Sequence, residues 1–358
     1  MPLWASSDSE AARCGQRGND LKTATDFDLK MVPNPGNQGA VANVLANSLH
    51  GEAGVVGQGD AVMADSKATT GTAIDGGLIR RQPLIAYFVI AYAVTWFVEG
   101  LFVLSRDGSG LLAFKAPMGF AMATGIATSL GPASAAFIVT GLTEGREGVN
   151  RLLRRIVQWR VGIFWFLFIL VGLPLIQTVG TIVLPGIWAT ATPMNIVPEL
   201  LSYTVFFVWP ALIAGGPLGE EIGWRGYALP RLQELHGPVK ASVILGVLWA
   251  FWHLPIWFSG QWTVPSVPNI AAYVVWITAV TVIFTWVFNN TGGSVLMAIL
   301  LHASMDAFPN AILWTHFPDA TRMTSVGILN GYLALIIGFG GFALLLILFT
   351  RGRLGRRP

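Results

Sequence analysis

The sequence predicts an all-α, polytopic membrane bundle of about eight transmembrane helices behind a disordered N-terminal tail, and three observations carry that expectation. Hydrophobic residues make up 53% of the 358 and charged ones 11%, against about 25% charged in an ordinary soluble domain. The charges are segregated, with nine of the nineteen acids in residues 1–80 and ten spread over the remaining 278. From Arg80-Arg81 onward, long apolar runs alternate with short polar breaks, and a run of about 18 apolar residues is long enough to cross about 30 Å of hydrocarbon.

Residues 1–79 are rich in Gly, Ala, Ser, Asn and Asp, a composition that buries too little apolar surface to order itself, and they are expected to form a disordered tail. The tail lacks the basic start, apolar core and small-residue cleavage site of a secretory signal. The membrane domain is expected over 80–350, with spans near 83–105, 118–142, 162–185, 199–218, 239–258, 269–288, 292–313 and 325–350, followed by a basic C-terminus at 351–358. Gly131-Pro132 inside the second run predicts a kink. Between the second and third runs, Val149, Leu152, Leu153, Ile156 and Val157 alternate with Arg151, Arg154 and Arg155. That pattern reads either as an amphipathic helix lying on a leaflet or as a simple basic connector.

The basic residues report orientation in the membrane. With the tail on the cytoplasmic side, fourteen arginines and lysines of the loops and ends fall inside and only Arg106, Lys115 and Arg322 outside. This asymmetry predicts a multi-pass protein of the cell membrane with both termini cytoplasmic. The pI of 9.2 does not indicate nucleic acid, because the basic residues flank apolar runs and form no interleaved patch. The lone Cys14 lies in the tail, so neither a disulfide framework nor a cysteine metal site is available.

Chemistry is concentrated in three places. Gly219-Glu220-Glu221-Ile222-Gly223-Trp224-Arg225 sets two carboxylates and an arginine at the end of an apolar run. An ionisable group at membrane depth costs several kcal/mol unless it is paired or hydrated. Glu221 and Arg225 are four apart and share a helix face, whereas Glu220 is turned by about 100°. Glu221 therefore reads as the partner of Arg225, and Glu220 as the chemical carboxylate. His253 lies in the aromatic stretch Trp249-Ala250-Phe251-Trp252-His253-Leu254-Pro255, with Trp249 one turn earlier on the same face. His302 and Asp306 lie four apart in the seventh run. Glu99 in the first run is set aside as a snorkelling or helix-contact residue, and His236 and His316 fall in expected loops.

A glutamate and a histidine are the usual general bases and can hold a water between them. A histidine with a neighbouring acid can steady a developing oxyanion. Glu220, His253 and His302 would also make an adequate Zn2+ ligand set with an open position for water, so a zinc-dependent and a metal-free hydrolysis both stay open. The chain has no His-Glu-x-x-His and no Gly-x-Ser-x-Gly, so the commoner hydrolase classes are not indicated.

Taken in order, Glu220-Glu221-x-x-x-Arg225, Trp249 with His253, and His302-x-x-x-Asp306 resemble the three motifs of the CPBP family. That family comprises the CAAX prenyl endoproteases and the bacteriocin-immunity-like (Abi) proteins, and the resemblance covers roughly residues 118–313. Trp249 stands where the family usually has Phe, and Asp306 is within its pattern. The resemblance implies an eight-helix intramembrane protease, described for some members as a metalloprotease, that cuts a peptide or membrane-protein substrate. It implies that Glu220 and His253 activate water while His302 and Asp306 bind oxyanion or substrate. An ionised carboxylate repels an oxyanion, so Asp306 would have to be protonated or act through His302. Two other functions compete: a non-catalytic membrane immunity or regulatory partner, and a proton-coupled transporter. The transporter is disfavoured because no internal repeat or matched pair of broken helices is evident.

Overall fold

The computed structural model describes residues 76–212, 216–318 and 325–356, and these lie within one compact unit spanning Thr69–Pro358. The expectation of a disordered tail falls on residues outside the described ones. Every regular element described is helical.

After a short helix at Gly76–Arg81, six helices are long and apolar enough to cross a membrane. They are α1 (Pro83–Val103), α2 (Phe120–Ile156), α3 (Ile163–Ile182), α7 (Val267–Asn290), α8 (Val295–His316) and α9 (Gly327–Phe349). Three further elements complete the bundle: α4 (Ile196–Leu212), α5 (Gly216–Gly223) with its continuation through Trp224–Ala228 and Leu229–His236, and α6 (Pro238–Trp252). The count of eight full spans is thus not met among the described residues. The expected fourth and fifth spans are helices of 17 and 15 residues. At 1.5 Å per residue, α6 covers about 22 Å, short of about 30 Å of hydrocarbon. Pro255 explains where α6 stops, since it has no N–H to donate to the preceding turn and its ring crowds the Phe251 carbonyl; the chain turns at His253 and resumes as the short helix Leu254–Trp257.

Helix α2 agrees with the expectation of a span followed by a separate basic segment: its 37 residues are two helical stretches that meet at a kink. Pro132 is accommodated inside it, and the one non-helical residue is Gly145, with φ 65°, a conformation open to glycine at little cost. The bent end of α2 after Gly145 is therefore a basic helix of its own, joined to the span at the kink. At its far side Gln158 Nε2–H donates to the Thr291 carbonyl at 2.9 Å, and Ser294 Oγ–H donates to the Gln158 carbonyl at 2.6 Å.

Small residues set the closest approach between helices, as expected where apolar lipid offers no hydrophobic drive for association. A Cβ added at Gly219 would lie 2.4 Å from Ser129 Cα and the Ser129 carbonyl oxygen, so α5 crosses α2 in backbone contact. This crossing brings Glu220 and Glu221 into the bundle interior. The core around them is aromatic, with Trp224, Trp249, Trp252 and Trp257 all nearly inaccessible.

Candidate active site

Glu220 and Glu221 project from α5 at 4% and 0% exposure and make different contacts. Glu221 Oε1 accepts from Arg225 Nη1–H at 2.7 Å and from His302 Nδ1–H at 2.9 Å. The fully buried Arg225 guanidinium lies between two rings, its Cζ 4.2 Å from the Trp249 centroid and 3.9 Å from that of Phe284. Its Nε and Nη2 have no hydrogen-bond partner. The ring faces supply the electrostatic contact that those atoms lack.

Glu220 Oε2 accepts instead from Trp249 Nε1–H at 2.7 Å. The same tryptophan's carbonyl lies 3.0 Å from His253 Nδ1. A carbonyl can only accept, so Nδ1 carries the proton and the Nε2 lone pair of a neutral ring is left free. The His253 ring stacks on Trp262 at 5.8 Å and 17° and meets Tyr273 edge-on. On α8, His302 Nε2 lies 3.5 Å from Asp306 Oδ2. His302 is therefore held on its Nδ1 side by Glu221 and faces Asp306 on the other.

Glu220, Trp249, His253, His302 and Asp306 line one cavity of about 550 Å3. Its opposite wall is aromatic, including Trp262, Tyr273, Trp276 and Tyr332. Glu221 and Arg225 do not line the cavity and stand behind it, bracing His302 and Trp249. Buried acids held by donors beside a partly apolar chamber can bind a short stretch of peptide and polarise a water.

Other titratable residues lie elsewhere. Glu99 does not snorkel: it is 1% exposed, and neither carboxylate oxygen has a hydrogen-bond partner. It belongs to the buried face of α1 with Tyr87, Ala91 and Thr95, at four-residue spacing. His316 is not in a loop but ends α8, buried, with Nε2 2.6 Å from Glu199 Oε1. That pair ties the start of α4 to the end of α8. His236 is exposed at the end of the continuation of α5. Sequence spacing had no means of finding Phe284 or Tyr273, which enter the site from α7 by tertiary packing.

A zinc ion would need three of these donors gathered at one point. No three His, Cys, Asp or Glu side chains among the described residues are gathered as a metal-ligand set. Glu220 Oε1 and His253 Nε2 keep free lone pairs, since the Trp249 contacts use Oε2 and Nδ1. The side chains as arranged are nevertheless not drawn together into a three-ligand set, and no step below is derived through a metal.

A family model described as Type II CAAX prenyl endopeptidase Rce1-like matches residues 201–308. That range is narrower than the 118–313 resemblance and contains all three motifs. A curated relative, CAAX prenyl protease 2 of Methanococcus maripaludis, is 34% identical over 88 residues, covering 23% of this chain and 32% of the relative. The match thus spans about a third of that relative's length. The segment 201–308, which carries Glu220, His253, His302 and Asp306, is similar to the Rce1-like CAAX prenyl endopeptidases.

Proposed function

We propose that this protein is an intramembrane endopeptidase that hydrolyses a peptide bond of a membrane-associated substrate with water activated by Glu220 and His253. The single observation that carries this reading is the convergence of Glu220, His253, His302 and Asp306 on one cavity, with Trp249 orienting the first two. The substrate peptide lies along the aromatic wall with its scissile carbonyl toward α8. The Glu220 carboxylate or His253 Nε2 accepts a proton as the water oxygen bonds to the carbonyl carbon. The carbonyl π pair moves onto oxygen, and the resulting anion accepts from Nε2–H of a doubly protonated His302, whose charge Glu221 and Asp306 balance. Collapse of the adduct breaks the C–N bond, and the leaving amine takes up the proton that was removed from water. The bilayer supplies the environment, with the arginine-rich end of the bundle facing the cytoplasm.

Purified wild-type protein incubated with a membrane-peptide library tests the reading against Glu220→Ala, His253→Ala and Glu221→Ala. The first two should abolish cleavage without changing thermal unfolding, whereas Glu221→Ala should lower stability. Retained cleavage by Glu220→Ala or His253→Ala would remove the assignment and favour a non-catalytic membrane partner.

A further inference from the structure

A second cleft, of about 290 Å3, opens where the bent end of α2 meets the continuation of α5. Arg151 and Arg155 line it from α2 and Arg231 from the α5 continuation, with Glu144 and Glu234 as its two acids. Three cations and two anions leave a net charge of +1, but the charges are not equivalent. Glu144 is spent: its Oε2 accepts from Arg151 Nη2–H at 2.7 Å and its Oε1 from Arg231 Nη2–H. Arg231 is further fixed by donating Nη1–H to the Tyr227 carbonyl at 2.9 Å, with its Cζ 3.7 Å from the Tyr227 ring centroid. Glu144 thus aligns two guanidiniums that would otherwise repel each other, and each keeps unused N–H donors. The half-buried Arg155 guanidinium makes no hydrogen bond or ion pair among the described residues. Glu234 is exposed.

The surroundings place this cleft at the depth of lipid headgroups. Just beyond it, Leu153, Val157 and Trp159 are 45%, 67% and 62% exposed, and the Arg160 guanidinium sits over the Trp159 ring at 5.7 Å. Exposed aliphatic and tryptophan side chains mixed with arginine are the composition of a segment at the membrane interface. Helix α2 would rise about 55 Å if straight, so its bent end must emerge from the hydrocarbon. A volume near 290 Å3 is at the small end of ligand pockets and suits a headgroup without its chains.

We infer that this cleft binds the phosphodiester of an anionic phospholipid headgroup, gripped by Arg155 and the spare donors of Arg151 and Arg231, with the acyl chains lying along Leu153 and Val157. Guanidinium groups favour phosphate through paired N–H donors, and basic pockets between helices at a membrane surface take such headgroups. Occupancy also braces the proposed active site from behind. Leu152 on the cleft's α2 wall packs against Gly226, where an added Cβ would lie 2.7 Å from Leu152 Cδ1, and Gly226 directly follows Arg225.

The full chain, purified in a neutral detergent, is titrated with dioctanoyl phosphatidylglycerol, dioctanoyl phosphatidylcholine or inorganic phosphate while thermal unfolding is followed. Phosphatidylglycerol should raise the unfolding midpoint saturably, and the other two should not. Arg155→Gln should unfold normally without lipid and bind phosphatidylglycerol about fivefold more weakly, the equivalent of the ~1 kcal/mol that one arginine contributes at a charged membrane surface. Arg154→Gln, exposed on the same turn but outside the cleft, should bind as the wild type does. An equal response to phosphatidylcholine overturns the inference, as does an equal response to inorganic phosphate, which would make the ligand a free anion. Equal weakening by Arg154→Gln and Arg155→Gln also overturns it, by reducing the effect to diffuse surface charge.

Discussion

Replacing Glu221 by leucine removes the only hydrogen-bond acceptor, among the described residues, of a guanidinium that is entirely inaccessible to solvent. Arg225 would keep its stacking on Trp249 and Phe284, but all its N–H groups would then be unpartnered. Breaking a buried pair by deleting one member costs about 3–5 kcal/mol. The same change strips His302 Nδ1 of its acceptor, a further loss of about 1–3 kcal/mol for an unsatisfied buried donor. Removing both charges is far milder, because a buried pair replaced by apolar groups is often neutral or better. Glu221→Leu/Arg225→Met should therefore lose only what His302 loses, about 1–3 kcal/mol. Unfolding free energies from denaturant titration in mixed micelles would show the double variant more stable than Glu221→Leu by about 3–5 kcal/mol. A double variant no more stable than the single one, or a single variant within about 1 kcal/mol of wild type, would refute the reasoning.

Trp249→Phe keeps a ring beside Arg225 but deletes the indole donor to Glu220, so kcat/KM for the proposed hydrolysis should fall about tenfold or more, as the loss of one hydrogen bond to a charged group implies. An unchanged steady-state rate would show that the indole does not orient the acid. Gly219→Ala forces α5 away from the Ser129 backbone, which a Cβ would approach to 2.4 Å, and should lower the unfolding free energy by about 1–3 kcal/mol; a variant of wild-type stability would mean the crossing has slack. Zinc measured on the purified protein should stay well below one ion per chain, and chelation should leave cleavage intact. Stoichiometric zinc that is lost in Glu220→Ala would show instead that the side chains regroup into a ligand set.

Much of the site was legible because its parts are local. Glu221 with Arg225, and His302 with Asp306, are four-residue helical pairs, and both contacts follow from spacing alone. What spacing could not supply was the third dimension. Glu221 bridges α5 to α8 through His302, a partner 81 residues away, and no periodicity encodes that distance. The helices were legible as apolar runs, but their lengths were not. A run through the centre of a helical bundle is apolar because protein surrounds it, so α6 reads like a membrane crossing while being only 15 residues long. The break between the span of α2 and its basic end is legible in composition, where apolar residues give way to arginines. The residue that makes the turn, Gly145 at φ 65°, carries no mark that sets it apart from the other glycines of that stretch.

Trp249 serves Glu220 with its side chain and His253 with its main chain. Two groups from different helices are thereby referenced to one residue, so a small slide of α6 along its axis carries the acid's donor and the imidazole's anchor in step. The separation between the two is then protected against breathing of the bundle. A substrate could pry the outer helices apart to enter without detuning the chemistry it is entering to meet.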